Sequence, residues 1–267
     1  MPHLLPHPRR LTSFPGAFEL RGPIELRPPP RFDSPALRAL RAELERERIA
    51  LGAGTSAIEL VLDGRSGHPP EGYALTIAPG LVRVVAARVV GLNHGLRTLL
   101  QLLRTAEPHD GHRRLPALAI EDFPAFERRG VMLDVSRDRV PRMDYLFQLV
   151  ERLAEWKLNE LQLYFEHAFA YAGHERVWRG VDPFTPDEIR ALDAHCRLHG
   201  IELVPNQQSF GHLHHWLKHP EYRHLAEVPE GILHPFLGAG QTTPEPFSLC
   251  PTDPRSLAFL GGLYDEL

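Results

Sequence analysis

The sequence predicts an α/β protein with two regions: a small α/β sandwich domain over residues 1–125 and the first part of a (β/α)8 TIM barrel over 126–267. Three observations lead to this prediction. Strand and helix patterns alternate along the chain, the pattern changes near residue 125, and polar residues follow three consecutive strands of the second region. At 267 residues, with 43% hydrophobic and 24% charged residues, the chain has enough apolar material for a folded core.

The first region begins with short strands and an amphipathic helix. Two β-type runs lie within residues 17–28. Ser34 and Pro35 combine an N-cap residue with a proline at the first helical position, and we expect the helix that they begin to stop at Gly52. Residues 57–63 then predict another strand.

The rest of the first region predicts a hairpin and a second helix. Residues 72–87 contain two apolar runs around Pro79 and Gly80, which is the pattern of a β-hairpin with a tight turn. Leucines at helical spacing follow, and they are Leu92, Leu96, Leu99, Leu100 and Leu103. The predicted domain is a sheet with two helices packed on one face, and it carries no catalytic constellation.

The second region contains about three strand–helix units. The runs 130–135, 159–165 and 201–205 predict strands, and the first is nearly continuous in apolar residues, as in a strand covered on both faces. A capping box (Thr-Pro-Asp-Glu) that begins at Thr185 starts a helix that we expect to end at Gly200. Short connections between strands and helices require parallel strands, in either a barrel or a doubly wound sheet. No phosphate-binding glycine motif follows any strand, so a nucleotide-binding sheet is the weaker alternative.

Polar side chains follow all three strands, where a (β/α) barrel has its active site. They are Asp134 and Arg137 after the first strand, Glu166 and His167 after the second, and Asn206, Gln207, Gln208 and His212 after the third. We therefore expect a functional site at these strand ends. Two alternatives stay open: Asp134 and Arg137 form either a structural ion pair or a ligand contact, and Glu166 is either a site residue or a plain strand-end carboxylate.

The histidines after the third strand raise the alternative of a metal-dependent barrel amidohydrolase. His212 and His214 have the His-x-His spacing of such enzymes, but a six-residue loop separates them from the strand and no later ligands follow. We therefore expect no metal ligand and no cofactor. His214, His215 and His219 are expected to lie on a short helix, outside the functional site.

Two tryptophans and two cysteines leave open or weaker indications. Trp178 and Trp216 are either sugar-stacking surfaces or hydrophobic anchors of loops. Cys196 and Cys250 have no metal-binding or disulfide-type spacing and are expected to be free thiols.

Charge and hydropathy argue against two classes of partner. A net charge of −4 and a pI near 6.5 disfavour nucleic-acid binding. No apolar leader or membrane-length segment is evident, so we expect a cytoplasmic protein without a membrane partner. The sequence does not indicate an oligomeric state.

Several segments together resemble glycoside hydrolase family 20, the β-N-acetylhexosaminidases. The most specific is FPAFERRGVMLDVSRDRVP at 123–141, and the others are 70–103, WKLNELQLYF, FTPDEIRALDAHCRLHGIELVP, the Gly211-His212 pair and 247–267. The resemblance covers nearly the whole chain, in the family's order. YFEHAFAY and NQQSFGH are closer to a branch related to hexosaminidase D than to the lysosomal enzymes.

The resemblance implies retaining hydrolysis of terminal N-acetylglucosamine or N-acetylgalactosamine, assisted by the substrate's own N-acetyl group. It implies that Arg129 holds hydroxyls of the terminal sugar and that His212 belongs to a polar network around the site. Asn206 and Gln208 stand where most members carry acids, and Glu166 replaces an acid of the second strand end. We expect these five residues and Asp134 to bind the substrate.

The family's catalytic Asp-Glu pair follows a fourth strand, and we expect it beyond Leu267. Asp265 and Glu266 have the right letters but belong to a helical pattern, which favours a solvated helix end. The expectation is a truncated hexosaminidase with no catalytic residue of its own and with poor stability when isolated. The alternative is a non-catalytic carbohydrate-binding fragment.

Overall fold

A computed structural model describes residues 3–109, 111–137, 139–233 and 244–267. The chain forms two compact units. The first unit comprises Met1–Arg129 with Glu151–Asn159 and Leu198–Gly200, and the second comprises Gly130–Val150, Glu160–Arg197 and Ile201–Leu267. Two short returns of the chain thus belong to the first unit, which the sequence did not indicate. Within the described residues, no helix combines the length and apolar character needed to cross a bilayer.

The first unit is a mixed sheet with two helices. Its elements are β1 (Arg10–Glu19), β2 (Ile24–Arg27), α1 (Pro35–Arg46), β3 (Ser56–Leu62), β4 (Tyr73–Ala78), β5 (Leu81–Ala86), α2 (Val89–Thr105), β6 (Pro108–His109) and β7 (His112–Asp122). The strand order is β1-β7-β4-β5-β3-β2, with β6 paired to β7. The predicted strands, hairpin and helices are confirmed, whereas β6 and β7 were not predicted.

Local sequence chemistry explains the turns of this unit. Gly80 has a φ of 77° between β4 and β5, which supplies the left-handed residue of the predicted hairpin turn. Ser34 Oγ accepts a hydrogen bond from Leu37 N–H at the start of α1. The expected stop of that helix at Gly52 is wrong, because the chain leaves the helix at Arg48, whose φ is 59°.

One face of this sheet is buried against both helices. Every second residue of β4 and β5 is fully buried, as the alternation of side chains in a strand requires. These residues share one core with the leucines of α1 and α2 and with Leu115, Leu118 and Ile120 of β7. Because β7 pairs with both β1 and β4, it completes the sheet that the core needs.

The second unit contains a three-stranded parallel sheet in the order β10-β9-β8. Its elements are β8 (Gly130–Asp134), α3 (Met143–Glu155), β9 (Glu160–Phe165), α4 (Glu175–Trp178), α5 (Pro186–His199), β10 (Glu202–Gln207), α6 (His214–Leu217), α7 (Pro220–Arg223) and α8 (Pro254–Glu266). The tails of α3 and α5 belong to the first unit. The parallel strands bring their carboxyl ends to one edge of the sheet.

Two sequence predictions for this unit are corrected. The strand β8 is not covered on both faces, since it lies at an edge of the described sheet and Met132 is 61% exposed. The third strand does not end at Pro205, because ladder pairing continues through Asn206 and Gln207. The predicted capping box is confirmed: the Thr185 N–H donates to Glu188 Oε2 at 2.8 Å and the Glu188 N–H donates to Thr185 Oγ1 at 3.3 Å.

Candidate functional site

A cavity of about 730 Å³ opens where β8, β9 and β10 end, and we call it the candidate cavity. Its lining comes from all three strand ends and from one later loop: Ser136, Arg137, Arg139, Val140, Glu166, His167, Ala168, Gly180, Val181, Asp182, His212, His214, His215 and Phe247. Ligand sites in parallel α/β sheets form at this edge, because the loops that follow the strands converge there.

Glu166 is the most firmly held acidic group of the candidate cavity, with only 2% of the residue exposed. Its carboxylate accepts a hydrogen bond from the Tyr164 hydroxyl at 3.0 Å. Its backbone N–H donates to Ser136 Oγ at 2.7 Å, and its carbonyl accepts from Trp216 Nε1 at 2.6 Å. Both the main chain and the side chain of Glu166 are therefore fixed, which is the preorganisation that a binding site requires.

His212 faces Glu166 from the loop that follows β10. Its Nδ1 lies 3.8 Å from Oε1 of Glu166, and the His212 ring packs against Phe247 at a centroid distance of 4.9 Å. The φ of His212 is 53°, a strained value for a residue other than glycine. Such strain is most often retained at functional positions, because the surrounding structure must offset its cost.

Burial raises the pKa of the Glu166 carboxyl, and the hydrogen bond from Tyr164 and the nearby His212 and Arg137 partly oppose that rise. Glu166 is therefore more easily protonated than a surface glutamate. A carboxyl group of this kind can either donate or accept a hydrogen bond within the accessible pH range.

Three imidazole rings, which we call the histidine wall, line the opposite part of the candidate cavity. The rings of His167 and His215 stack at 3.8 Å, and His214 lies 4.0 Å from His215. Burial lowers the pKa of His167 to about 4 and that of His215 to about 3, and the neighbouring histidines add to the effect. These two rings are therefore neutral near pH 7.

A sequence profile of known proteins matches the first unit. The profile is that of glycosyl hydrolase family 20, domain 2, and it covers residues 1–123. A β-hexosaminidase of Vibrio furnissii is 24% identical over 88% of this chain and 44% of its own length. Human hexosaminidase D is 29% identical over 53% of this chain and 26% of its own length. A solved family 20 β-N-acetylglucosaminidase is 27% identical with a TM-score of 0.76, over 100% of this chain and 56% of that protein.

The chain is similar to glycoside hydrolase family 20 proteins over its whole length. It spans about half, or less, of the length of each of these relatives.

Two of the residues that the family 20 resemblance selected meet in the candidate cavity. Glu166 and His212 both line it. Asp134 lies behind the lining, where its Oδ2 accepts a hydrogen bond from Arg137 Nε at 2.5 Å. Of the two alternatives for Asp134 and Arg137, the structure therefore contains the ion pair, and Arg137 is the partner that reaches the cavity.

Asn206 and Gln208 are not among the residues that line the candidate cavity. Because β10 continues through Gln207, Asn206 lies within the strand, and its Nδ2 donates to Gln162 Oε1 at 3.3 Å. Gln207, which the resemblance passed over, has the supporting role. Its Oε1 accepts from the Tyr171 hydroxyl at 2.5 Å and its Nε2 donates to the Glu166 carbonyl at 3.3 Å.

Arg129 belongs to the first unit and is not part of the candidate cavity. Its guanidinium binds the Glu71 carboxylate and donates to the carbonyl groups of Phe126, Glu127 and Lys157. Local acceptors use most of its N–H donors, and the role of Arg129 in holding a sugar stays a prediction. The family motif around Arg129 was recognisable, but its partner Glu71 lies far away in the sequence and no local pattern indicated it.

His214 and His215 were expected on a short helix outside the site, and the structure places them on such a helix but among the residues that line the candidate cavity. The helix α6 begins at His214, directly after the loop of β10, so its first turn lines the candidate cavity. Within the described part of the second unit, no three histidine, cysteine or acidic side chains bring ligand atoms within 4.8 Å of one another. The spacing of His212, His214 and His215 therefore does not correspond to a convergent ligand set in this structure.

The structure also shows where the two tryptophans and the Asp265-Glu266 pair lie. Trp216 is fully buried and anchors the Glu166 carbonyl, and Trp178 donates its Nε1–H to the Tyr171 carbonyl at 3.0 Å. Asp265 and Glu266 lie in the last turn of α8, as the helical pattern predicted. Ser136 was missed by the sequence reasoning, although its place two residues after β8 was a usable signal.

Proposed function

We propose that this chain forms the sugar-binding strand ends of a β-N-acetylhexosaminidase that removes terminal N-acetylglucosamine or N-acetylgalactosamine. The observation that carries the proposal is the fixed Glu166–His212 pair at the edge of a parallel sheet in a chain similar to family 20 proteins. The names of the relatives, which are β-hexosaminidases and a β-N-acetylglucosaminidase, agree with this substrate class.

The proposal includes a domain arrangement. Residues 1–125 form the small α/β domain of the family, and 126–267 form about three βα units of a (β/α)8 barrel. The profile match over 1–123 and the parallel order of β8, β9 and β10 support this assignment. The barrel reading also explains why polar and exposed residues such as Gln162, Asn206 and Met132 share one face of the sheet, since that face would line the barrel interior.

In the proposed mechanism, as the family resemblance implies, the N-acetyl oxygen of the substrate attacks its own anomeric carbon while the glycosidic bond breaks and the general acid protonates the leaving oxygen; water then opens the cyclic intermediate. Glu166 and His212 bind hydroxyl groups of the terminal sugar. A carboxyl with a raised pKa beside an imidazole offers both an acceptor and a donor, and sugar hydroxyls need both. Asp134 acts through Arg137, and the neutral rings of His167 and His215 supply a flat surface of low charge beside the sugar ring.

We do not assign the catalytic Asp-Glu pair to Asp265 and Glu266. These residues end α8, and Glu266 Oε2 accepts a hydrogen bond from Ala172 N–H at 2.8 Å. The resemblance places the pair after a fourth strand, so the general acid of the proposed enzyme is supplied by another segment. Substrate binding, rather than turnover, is therefore the property to measure on the 267-residue chain.

The experiment is a calorimetric titration of the chain with N-acetylglucosamine. We expect Glu166→Gln and His212→Gln to raise the Kd about tenfold or more, because the first replaces one carboxyl oxygen by an NH2 donor and the second removes the oriented imidazole. The matched controls Glu230→Gln and His224→Gln alter exposed side chains of the same unit and should leave the Kd unchanged. Glucose, which lacks the N-acetyl group, should bind more weakly.

The binding and turnover measurements have three informative outcomes. Equal binding of N-acetylglucosamine by the variants and the native chain would contradict the proposed site. Release of p-nitrophenol from p-nitrophenyl N-acetyl-β-glucosaminide by the 267-residue chain would show that it contains its own general acid. Binding without release agrees with our assignment and also describes a carbohydrate-binding fragment.

A further inference from the structure

The first unit has a cavity of its own, of about 300 Å³, which we call the second cavity. It lies between the start of the chain, the end of β7 and the segment 156–158. All of its lining residues belong to the first unit. Nothing in the proposed hydrolase mechanism uses this cavity, although its volume reaches the lower end of the range of small-molecule sites.

Charged groups form the floor of the second cavity. Lys157 Nζ donates to Asp122 Oδ2 at 2.9 Å and to the Tyr73 hydroxyl at 3.0 Å. The side chains of Lys157 and Asp122 are only 8% and 9% exposed. An ammonium group has three N–H donors, and only these two acceptors are within hydrogen-bond distance among the described residues. One N–H of Lys157 therefore has no acceptor among the described residues, and Lys157 lines the cavity.

A second ion pair lies beside the first, between Arg129 and Glu71. His94 lies next to this pair, and burial lowers its pKa to about 3, so it is neutral. The floor thus carries two cations and two anions in matched pairs, and the exposed Arg9 adds a third cation to the lining. A charged ligand would face a buried charge of its own sign, whatever its sign, and would lose solvation on entry. A neutral ligand with many hydrogen-bonding groups avoids this cost.

Exposed aromatic side chains surround the opening. Phe126 is 73% exposed and Trp156 and Phe123 are each 42% exposed, although large apolar side chains are usually buried. The Arg9 guanidinium lies over the Phe123 ring, 4.6 Å from its centroid. Flat aromatic faces beside a polar floor suit a ligand with an apolar C–H face and hydroxyl edges.

We propose that the second cavity is a binding site for a neutral saccharide of one or two rings, separate from the candidate cavity. Lys157, Asp122 and Glu71 bind the hydroxyl groups, and Trp156 and Phe126 cover the apolar face of a ring. The proposal rests on the composition of this cavity and does not depend on the proposed hydrolase function.

The test uses the 267-residue chain labelled with 5-fluorotryptophan. The chain has three tryptophans, and only Trp156 lines the second cavity, so its fluorine resonance reports on that cavity. The resonance is assigned by its loss in Trp156→Phe. Trp216, which contacts the Glu166 carbonyl, reports on the candidate cavity in the same spectrum. Failure of one site is thereby distinguished from failure of the other.

The neutral probes are N-acetylglucosamine, N,N′-diacetylchitobiose, cellobiose and maltose at millimolar concentration. We expect at least one of them to shift the Trp156 resonance saturably, and Phe126→Ala to raise that Kd about tenfold. The control Phe14→Ala removes another exposed phenylalanine, which lies outside the cavity, and should change nothing, and neither should Glu166→Gln.

Three results would overturn the proposal. The first is the absence of a saturable Trp156 shift with all four neutral probes. The second is a shift that Phe126→Ala leaves unchanged. The third is tighter binding of glucuronate or glucosamine than of the neutral probes, since a charged ligand would contradict the paired-charge argument.

Discussion

Oε1 of Glu166 lies 3.8 Å from Nδ1 of His212, and this approach joins the end of β9 to the loop after β10. The two residues belong to separate strand–loop units, so only the parallel arrangement of the strands brings them together. The separation is longer than a direct hydrogen bond, so the carboxyl and the imidazole do not use each other as hydrogen-bond partners in this structure.

The first prediction concerns the pH dependence of Glu166. Burial raises its pKa above the ordinary value of 4.5, so the folded state holds the proton more tightly than the unfolded chain does. The stability that this proton contributes is complete below the ordinary pKa and is lost as pH rises through the raised pKa. Glu166→Gln cannot ionise, so its free energy of unfolding should improve relative to the native chain between pH 4 and pH 7.

Urea unfolding at both pH values measures the difference. Glu230→Gln, which changes an exposed glutamate of the same unit, should show no comparable pH dependence. A difference between Glu166→Gln and the native chain that is the same at pH 4 and pH 7 would contradict the prediction.

The second prediction concerns the histidine wall. The pKa of His167 falls to about 4 and that of His215 to about 3 in the folded state, below the ordinary value of 6.5. The unfolded chain therefore gains protons first, and the fold loses stability as pH falls from 6.5 towards 3. His167→Gln and His215→Gln should each reduce the unfolding free energy that is lost as pH falls.

The midpoint of urea unfolding between pH 4 and pH 7 provides the measurement. His224→Gln serves as the control, because His224 is exposed and lies outside the histidine wall. The same acid sensitivity in all three variants would contradict the assignment of the loss to the stacked rings.

The sequence predicted those parts of the fold that depend on neighbouring residues. The Pro79-Gly80 turn and the Thr185 capping box follow from backbone chemistry within four residues, and both are present. The sequence also predicted that the strand ends form a site, because the carboxyl ends of parallel strands lie at one edge of a sheet. The sequence did not predict the positions of Asn206 and Arg129, since each depends on a partner elsewhere in the chain.

These two cases have different physical causes. Hydrogen-bonded pairing with β9 keeps Asn206 in a strand rather than in a loop. The residues next to Asn206 do not reveal this pairing, because β9 lies elsewhere in the chain. Arg129 is held by Glu71. In the sequence Glu71 precedes β4 and Arg129 follows β7, and only the fold brings the two side chains together. A family motif identifies an arginine but does not identify the carboxylate that binds it.

The third prediction tests the start of α5. Thr185→Ala removes the side-chain acceptor of the capping box and should lower the free energy of unfolding by about 1 kcal/mol. Thr185→Ser keeps the hydroxyl and should retain most of the stability. A loss of the same size in both variants, measured by urea unfolding, would indicate packing of the threonine methyl group rather than capping.

The fourth prediction compares the two lysines of the chain, Lys157 and Lys218. Lys157→Met leaves the Asp122 carboxylate buried without its cation and should cost about 3–5 kcal/mol of unfolding free energy. Lys218→Met alters an exposed side chain and should stay within about 0.5 kcal/mol of the native chain.

A double variant separates the loss of the ion pair from a general disturbance of the core. In Lys157→Met with Asp122→Asn, no charge remains at either position, and the amide introduced at position 122 still offers an acceptor to the Tyr73 hydroxyl, so much of the lost stability should return. Urea unfolding of the native chain, both single variants and the double variant gives the coupling energy. Additive losses in the double variant would mean that Lys157 stabilises the first unit through its aliphatic packing and not through Asp122.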